Sequence, residues 1–214
     1  MNSKHKLKII DFYFITDSKL TKKDIFEDAK SAIKAGVKII QYREKDKSTK
    51  EMVKEATILK KICKDNALFL VNDRIDVAMA VNADGVHLGK DDMPYDIARL
   101  LLGNNKIIGL TVHNIKEAIQ AKNIGADYVG ASPIFKTKTK LDAGIPAGLS
   151  LIKKIKQKKD IPVIGIGGIN LNNVTSVIQA GADSAVAISA VVTKDNVEKE
   201  CRSFIKKIKL GLVR

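Results

Sequence analysis

The stretch AGVKIIQYREKD, residues 35–46, runs from a small-residue turn through an apolar segment into a cluster of polar and charged side chains. Val37, Ile39 and Ile40 are typical of a strand buried on both faces, as in a parallel sheet covered by helices. Related stretches recur as NADGVHL, GADYVG and GADSAVAI, and each places a small residue just before a predicted strand. This repetition indicates a chain built from strand–helix units.

The hydrophobic pattern extends these units over the whole chain. Runs rich in Val and Ile predict strands at 8–15, 37–42, 67–71, 84–88, 106–110, 127–130, 162–166 and 183–188. Amphipathic stretches predict helices near 22–35, 49–64, 74–81, 94–102, 114–123, 148–158, 171–180 and 195–209, and Gly36, Gly125 and Gly181 have the positions of helix C-terminal caps.

Alternating strands and helices predict an α/β fold with a parallel sheet and right-handed crossovers. Eight units without an evident linker favour one compact (β/α)8 TIM barrel over residues 1–214. A doubly wound open sheet is the alternative, although no Gly-x-Gly-x-x-Gly follows the first strand.

The composition is that of a globular protein of 214 residues, and its formal net charge of +14 is its most unusual property. A basic chain suits nucleic acid or a small anionic substrate. Helical spacing of the lysine runs and an aromatic content of 5% favour the small substrate, and the oligomeric state stays open, a homo-oligomer included. We expect a cytoplasmic protein, without membrane partners, in which Cys63 and Cys201 are reduced core thiols.

Gln41, Arg43 and Lys45 are spaced two residues apart, so an extended segment points them to the same side. In a TIM barrel, side chains at the C-terminal strand ends line the mouth of the active site. The triplet therefore predicts an anion-binding group, although an arginine at a strand end can instead pair with a structural carboxylate.

Carboxylates follow the next two predicted strands, in LFLVNDR and GVHLGKDDMP. Asp73 and Asp92 would lie on neighbouring loops beside Arg43 and Lys45. Mg²⁺ is held by one or two carboxylates together with substrate phosphate oxygens, so this pair predicts a magnesium site. Each aspartate could alternatively be a helix N-cap.

A second anion site is predicted from the later strand ends. The loop after the sixth strand carries Thr137, Lys138, Thr139 and Lys140, and hydroxyls and ammonium groups suit an anion. Gly167 and Gly168 would open backbone N–H groups at a helix start, and Ser189 follows the eighth strand. The alternatives are a flexible lysine-rich surface loop and a glycine pair required for packing.

His87 and His113 stand at strand ends and are candidates for proton transfer, although each could equally be a hydrogen-bonded packing residue. No acid–base pair is evident beside either histidine in the sequence.

Taken in order, the strand-end motifs resemble the thiamine-phosphate synthase family. The motifs are YFITD, QYREKD, NDR, DGVHLGKDDMP, DYVGASPIFKTKTKLDAG, VIGIGGIN and AISAV, and the resemblance covers residues 12–192. A thiazole tautomerase on the same barrel is similar but typically lacks the full NDR, DD and TKTK equipment.

The resemblance implies that hydroxymethylpyrimidine pyrophosphate joins a thiazole phosphate, with pyrophosphate leaving first and the thiazole nitrogen attacking a pyrimidinylmethyl cation. It implies that Arg43, Lys45 and Lys140 are catalytic and that Asp73 and Asp92 hold Mg²⁺. The substrate-binding residues that it implies are Gln41, Arg43, Glu44, Lys45, Asn72, Thr111, Thr137, Lys138, Thr139, Lys140, Gly168, Ile188 and Ser189.

Two positions depart from the family pattern: Thr111 stands where Ser is usual, and Ser132 lies in ASPIF where Gly-Pro-Ile is commoner. Neither change removes a charge, so they bear on rate rather than on reaction type. The alternatives are a thiazole phosphate tautomerase-like enzyme and a non-catalytic sensor of thiazole or thiamine phosphate.

Overall fold

A computed structural model describes residues 12–137, 139, 144–158 and 160–212. Its eight strands are all parallel and close into a barrel in chain order, with the first strand pairing with the eighth. The strands are β1 (Phe12–Ile15), β2 (Ile39–Tyr42), β3 (Leu68–Asn72), β4 (Gly85–Leu88), β5 (Ile107–Val112), β6 (Tyr128–Ala131), β7 (Val163–Gly165) and β8 (Ser184–Val186). The predicted TIM barrel is confirmed, and the open sheet is excluded because the sheet has closed.

Helices follow every strand in the described part of the chain. They are α1 (Ile25–Lys34), α2 (Thr49–Cys63), α3 (Ile75–Ala80), α4 (Tyr95–Leu102), α5 (Ile115–Asn123), α6 (Gly148–Lys158), α7 (Val174–Gln179), α8 (Ser189–Val192) and α9 (Val197–Leu212). The short helix α8 was not predicted, because four residues are too few to display a helical period. Gly36, Gly125 and Gly181 follow helix ends with positive φ, as caps require.

An aspartate that recurs just before alternate strands stabilises the N-terminal end of the barrel. Asp84 accepts hydrogen bonds from the backbone N–H of Phe69 at 2.8 Å and from Lys60 at 2.7 Å. Asp127 and Asp183, just before β6 and β8, make the same two kinds of contact. Each accepts from a backbone N–H of the preceding strand and pairs with a cation from the helix that leads into that preceding strand. The repeated small residue followed by Asp is therefore a structural motif that connects a helix with two neighbouring strands.

Two apolar layers stabilise the barrel. The outer layer lies between the strands and the helices and includes both cysteines, which are free and buried. Burial raises the pKa of the Cys63 thiol to about 12 and raises that of Cys201 as well, so the prediction of reduced core thiols agrees with their environment. The inner layer fills the lumen with alternate strand residues: Tyr13, Ile15, Ile39, Leu68, Leu70, Ile107, Tyr128, Ile164 and Val186.

Within the described ranges, every helix is too short or too polar to cross a membrane.

Candidate active site

A cavity of about 350 Å³ opens at the C-terminal ends of the strands. It is lined by side chains from loops after nearly all of the strands, as expected for a TIM barrel. The predicted site residues that line it are Gln41, Arg43, Lys45, Asn72, Asp73, Asp92, Thr111, Thr137, Thr139, Gly168, Ile188 and Ser189. Lys138 and Lys140 lie outside the described residues.

Arg43 lines the cavity and also forms an ion pair within the fold. Its Nη1 donates to Asp17 Oδ2 at 3.0 Å, and the two side chains are 21% and 8% exposed. Its backbone N–H donates to Thr16 Oγ1 at 3.1 Å. The alternative of a structural pairing is therefore confirmed, and because Arg43 also lines the cavity, its binding of an anion stays a prediction.

Lys45, Asp73 and Asp92 form a mixed-charge cluster on the same side. Lys45 Nζ lies 2.5 Å from Asp73 Oδ2, and Asp92 Oδ2 accepts from the backbone N–H of Gly89 at 2.6 Å. Burial raises the pKa of the Asp92 carboxyl, and the adjacent Asp73 raises it further. Ionising both carboxylates together is therefore costly unless a cation joins them.

Neither aspartate caps a helix, so that alternative is wrong. The residue that precedes α3 is Arg74 and the one that precedes α4 is Pro94, and neither helix start has a side-chain cap. Asp73 instead adopts a left-handed backbone with φ of 62°, which is uncommon for a residue other than glycine. Such a conformation is retained where the surrounding structure requires it, and here it directs a carboxylate beside Lys45.

The loops after β6, β7 and β8 meet at the other part of the cavity lining. Thr139 Oγ1 donates to Ser189 Oγ at 3.2 Å, and Thr139 N–H donates to Thr137 Oγ1 at 3.2 Å. Gly168 has φ of 65°, and a Cβ placed on it would lie 2.4 Å from the carbonyl oxygen of Lys136. Only glycine allows the two loops to approach this closely.

Two predictions need correction here. Gly167 and Gly168 do not start a helix, because α7 begins only at Val174. Glu44 does not belong to the cavity lining, because strand alternation turns it away from Arg43 and Lys45. Its buried carboxylate accepts from Ser18 Oγ at 2.6 Å and from the backbone N–H of Lys45 at 2.8 Å, so it holds the loop.

The two histidines have different settings. His113 pairs with Glu117 at 3.1 Å and is absent from the cavity lining. His87 lines the cavity, and its Nε2 lies 2.9 Å from Thr111 Oγ1. Only His87 of this pair can therefore contact a ligand there.

Sequence reasoning missed the partners that lie beneath the cavity. Asp17 was not recognised as the partner of Arg43, although Tyr13, Ile15 and Asp17 share the parity of β1 that points inward. Tyr13 and Tyr128 were also missed, and their hydroxyls lie 2.9 Å apart in the lumen. The alternation of side chains along each strand could have identified Tyr13, Asp17 and Tyr128 as inward-facing, but not which residues they contact.

Comparison with known proteins identifies a family and relatives that this chain resembles. The family described as thiamine monophosphate synthase matches residues 12–191. The chain is 57% identical to the thiamine-phosphate synthase of Methanosarcina barkeri over 95% of its own length and 92% of that protein. It is 59% identical to the thiamine-phosphate synthase of Methanosarcina mazei over 93% of its length and 83% of that protein.

A solved structure agrees with these sequence relatives. Thiamine phosphate pyrophosphorylase from Pyrococcus furiosus is similar with a TM-score of 0.89 and 39% identity, covering 97% of this chain and 99% of that one. Fold and sequence therefore point to the same family.

Proposed function

The chain belongs to the thiamine-phosphate synthase family and has the activity of a transferase that makes thiamine phosphate; from this premise we propose how its site performs that reaction. Hydroxymethylpyrimidine pyrophosphate and a thiazole phosphate are the substrates. The observation that carries the proposal is that one cavity is lined both by the Lys45, Asp73 and Asp92 cluster and by Gly168 and Ser189.

The pyrophosphate lies at the end of the cavity formed after β2, β3 and β4. Arg43 and Lys45 supply fixed positive charge, and Asn72 supplies an amide from the last residue of β3. Asp17 keeps the guanidinium in place, so little reorganisation is required when the leaving group develops its charge. The family resemblance assigns Lys140 to the same role.

Asp73 and Asp92 are suited to hold Mg²⁺. Their oxygens are hard ligands, and their mutual repulsion is relieved by a divalent cation. Described residues provide no cluster of three or more His, Cys, Asp or Glu side chains for a metal. Two carboxylates agree with an ion whose remaining ligands are substrate phosphate oxygens and water. When bound, Mg²⁺ would neutralise charge on the departing pyrophosphate.

The thiazole phosphate lies against the loops after β6, β7 and β8. Thr137 and Thr139 offer hydroxyls, and Gly168, Ile188 and Ser189 line the same part of the cavity, where Ser189 offers one more hydroxyl. The contact between Thr139 and Ser189 keeps these loops together. The site therefore places the second substrate in the same cavity as the first.

The reaction breaks the bond between the pyrimidine methylene carbon and the pyrophosphate oxygen, whose electron pair leaves with pyrophosphate. The ring nitrogen of the thiazole then gives its lone pair to that carbon, and thiamine phosphate forms. Because the nucleophile is neutral and the leaving group is anionic, the protein mainly positions and stabilises charge rather than removing a proton.

The experiment is to incubate the purified protein with both substrates and Mg²⁺, and to follow thiamine phosphate and pyrophosphate together. Equal amounts of the two products, lost on adding EDTA and restored by Mg²⁺, are expected. Thiamine phosphate formation that is unaffected by EDTA would refute the magnesium assignment. A thiazole product without pyrophosphate release would instead support the tautomerase alternative, and ligand binding without turnover the sensor alternative.

We also propose that the enzyme works in the cytoplasm, on small phosphorylated substrates and without a nucleic-acid partner. The two buried free cysteines agree with a reducing compartment. The positive charge of +14 then serves anionic substrates and solubility.

A further inference from the structure

A chain of buried and part-buried hydrogen bonds crosses the lumen at the floor of the cavity. Gln41 Nε2 donates to the Tyr13 hydroxyl at 2.7 Å, and that hydroxyl lies 2.9 Å from the hydroxyl of Tyr128. The Tyr128 hydroxyl lies 2.9 Å from His87 Nδ1, and His87 Nε2 lies 2.9 Å from Thr111 Oγ1. The chain therefore connects three residues that line the cavity, Gln41, His87 and Thr111, through the two tyrosines that support them.

We infer that Tyr13, Tyr128 and His87 are positioning residues that fix the direction of this chain, so that the Thr111 hydroxyl donates its proton into the cavity. The inference rests on the proposed function only for the identity of the acceptor, which would be an acceptor atom on the bound aminopyrimidine. The direction itself follows from the donors and acceptors of the chain.

The direction starts at the amide of Gln41. An amide nitrogen can only donate, so the Tyr13 oxygen accepts from it and turns its own proton toward Tyr128. The Tyr128 oxygen accepts this hydrogen bond, and the Tyr128 hydroxyl then donates to His87 Nδ1. Burial raises the pKa of both phenols, so each keeps the proton that the chain requires.

The histidine passes this direction to the cavity. With Nδ1 accepting, the neutral imidazole carries its proton on Nε2 and donates it to Thr111 Oγ1. The hydroxyl proton of Thr111 is then directed away from His87, and Thr111 borders the cavity. Gln41 keeps its carbonyl oxygen as an acceptor and its second amide N–H as a donor, whereas the Thr111 hydroxyl presents a donor to the cavity. An aminopyrimidine carries amino donors and ring-nitrogen acceptors, which match these two ends.

The barrel provides room for this arrangement at two glycines. A Cβ on Gly109 would lie 2.0 Å from Cζ of Tyr128, and a Cβ on Gly130 would lie 3.1 Å from Cε1 of His87. The rings of His87 and Tyr128 stack with centroids 5.5 Å apart, in the space that these glycines leave. The chain is thus built into the packing of the lumen.

The sharpest test is a double-mutant cycle between Tyr128→Phe and Thr111→Val. Tyr128→Phe should lower kcat/KM for the pyrimidine substrate about tenfold, the size of one lost neutral hydrogen bond, and leave KM for the thiazole phosphate unchanged. In the Thr111→Val background the same change should have almost no further effect, because no hydroxyl remains to be directed. Thr111→Ser should retain both the activity and the sensitivity to Tyr128→Phe.

Tyr42→Phe is the matched control. Tyr42 is also buried, and its hydroxyl donates to Glu55 at 2.7 Å. The variant loses this hydrogen bond, which lies on the helix side of β2 rather than in the lumen. Its kcat/KM should stay within about twofold of the wild-type value, since a distant hydrogen bond affects stability rather than the site. If Tyr128→Phe lowers kcat/KM equally in the wild-type and Thr111→Val backgrounds, its role is structural and the inference is wrong.

¹⁵N NMR of the histidine rings tests the direction without any substrate. The chain contains three histidines, so the His87 signals are assigned by their loss in His87→Gln. The wild type should show the Nε2–H tautomer, and Tyr128→Phe should shift the His87 signals toward a mixture of tautomers. An Nδ1–H tautomer in the wild type would overturn the direction. This result stands even if no thiamine phosphate is formed, so a failure of the proposed function remains distinguishable.

Discussion

Replacing Asp92 by asparagine tests the magnesium site through two effects of opposite sign. The variant keeps the size of the side chain and an oxygen that can accept from the backbone N–H of Gly89, but it removes one negative charge. We expect it to weaken Mg²⁺ binding and at the same time to stabilise the metal-free protein.

The loss of metal affinity follows from Coulomb energies. Two unit charges about 4 Å apart in water interact by about 1 kcal/mol, so a carboxylate facing a doubly charged ion contributes about 2 kcal/mol. Since 1.4 kcal/mol corresponds to a factor of ten, the Mg²⁺ concentration for half-maximal rate should rise about thirtyfold. Excess Mg²⁺ should recover part of the activity.

The gain in stability follows from the raised pKa of Asp92. That shift, caused first by burial and then by Asp73, means that the ionised carboxylate is unfavourable in the folded protein. Because Asp92 is partly exposed, solvent screens its charge, and removing that charge should raise Tm of the metal-free protein by only about 1–2 °C. A purely structural role for Asp92 predicts the opposite sign.

The assay measures initial rate against Mg²⁺ concentration, with thermal unfolding in EDTA alongside. Asp73→Asn should also raise the midpoint, and the double variant should lose less than the product of the two, because both residues act on one ion. Asp96→Asn, an exposed change of the same charge in the first turn of α4, is the control and should behave as wild type. Single variants that lose activity while keeping the wild-type Mg²⁺ midpoint would refute the reasoning.

Three further predictions concern charge elsewhere in the chain. Arg43→Ala should lower turnover by roughly 10²-fold or more, and Arg43→Lys should recover only part of it because the forked geometry is lost; near-wild-type steady-state rates for Arg43→Ala would exclude its role in binding the pyrophosphate. Asp28, whose Oδ2 has no partner among the described residues, has a pKa raised first by burial from its ordinary 3.8, so stability is lost as pH rises through the folded value. Asp28→Asn should therefore be more stable than the wild type in urea at neutral pH, by about 1 kcal/mol, and the gain should shrink as the pH falls toward 3.8; a constant gain would contradict this. Binding of a fluorescent DNA duplex should be weak and fall steeply with salt, and tight binding at physiological salt would revive a nucleic-acid function.

The alternation of strands and helices, and with it the barrel, was determined by the sequence through local periodicity. Period two in each strand also placed Gln41, Arg43 and Lys45 on one side, because side-chain parity depends only on the extended backbone. The same rule would have excluded Glu44 from the cavity, whereas the family resemblance included it among the substrate-binding residues. The positions of Asp73 and Asp92 followed from neighbouring strands in a parallel barrel.

Only the tertiary structure decided which of these side chains touch. Tyr13 and Tyr128 are 115 residues apart and meet only because closure and register of the barrel bring β1 and β6 across one lumen. The pairing of Arg43 with Asp17 and the left-handed backbone of Asp73 likewise depend on packed neighbours rather than on local propensity. Periodicity fixes the face on which a side chain lies, whereas distances between side chains of different strands are set by strand order, shear and packing.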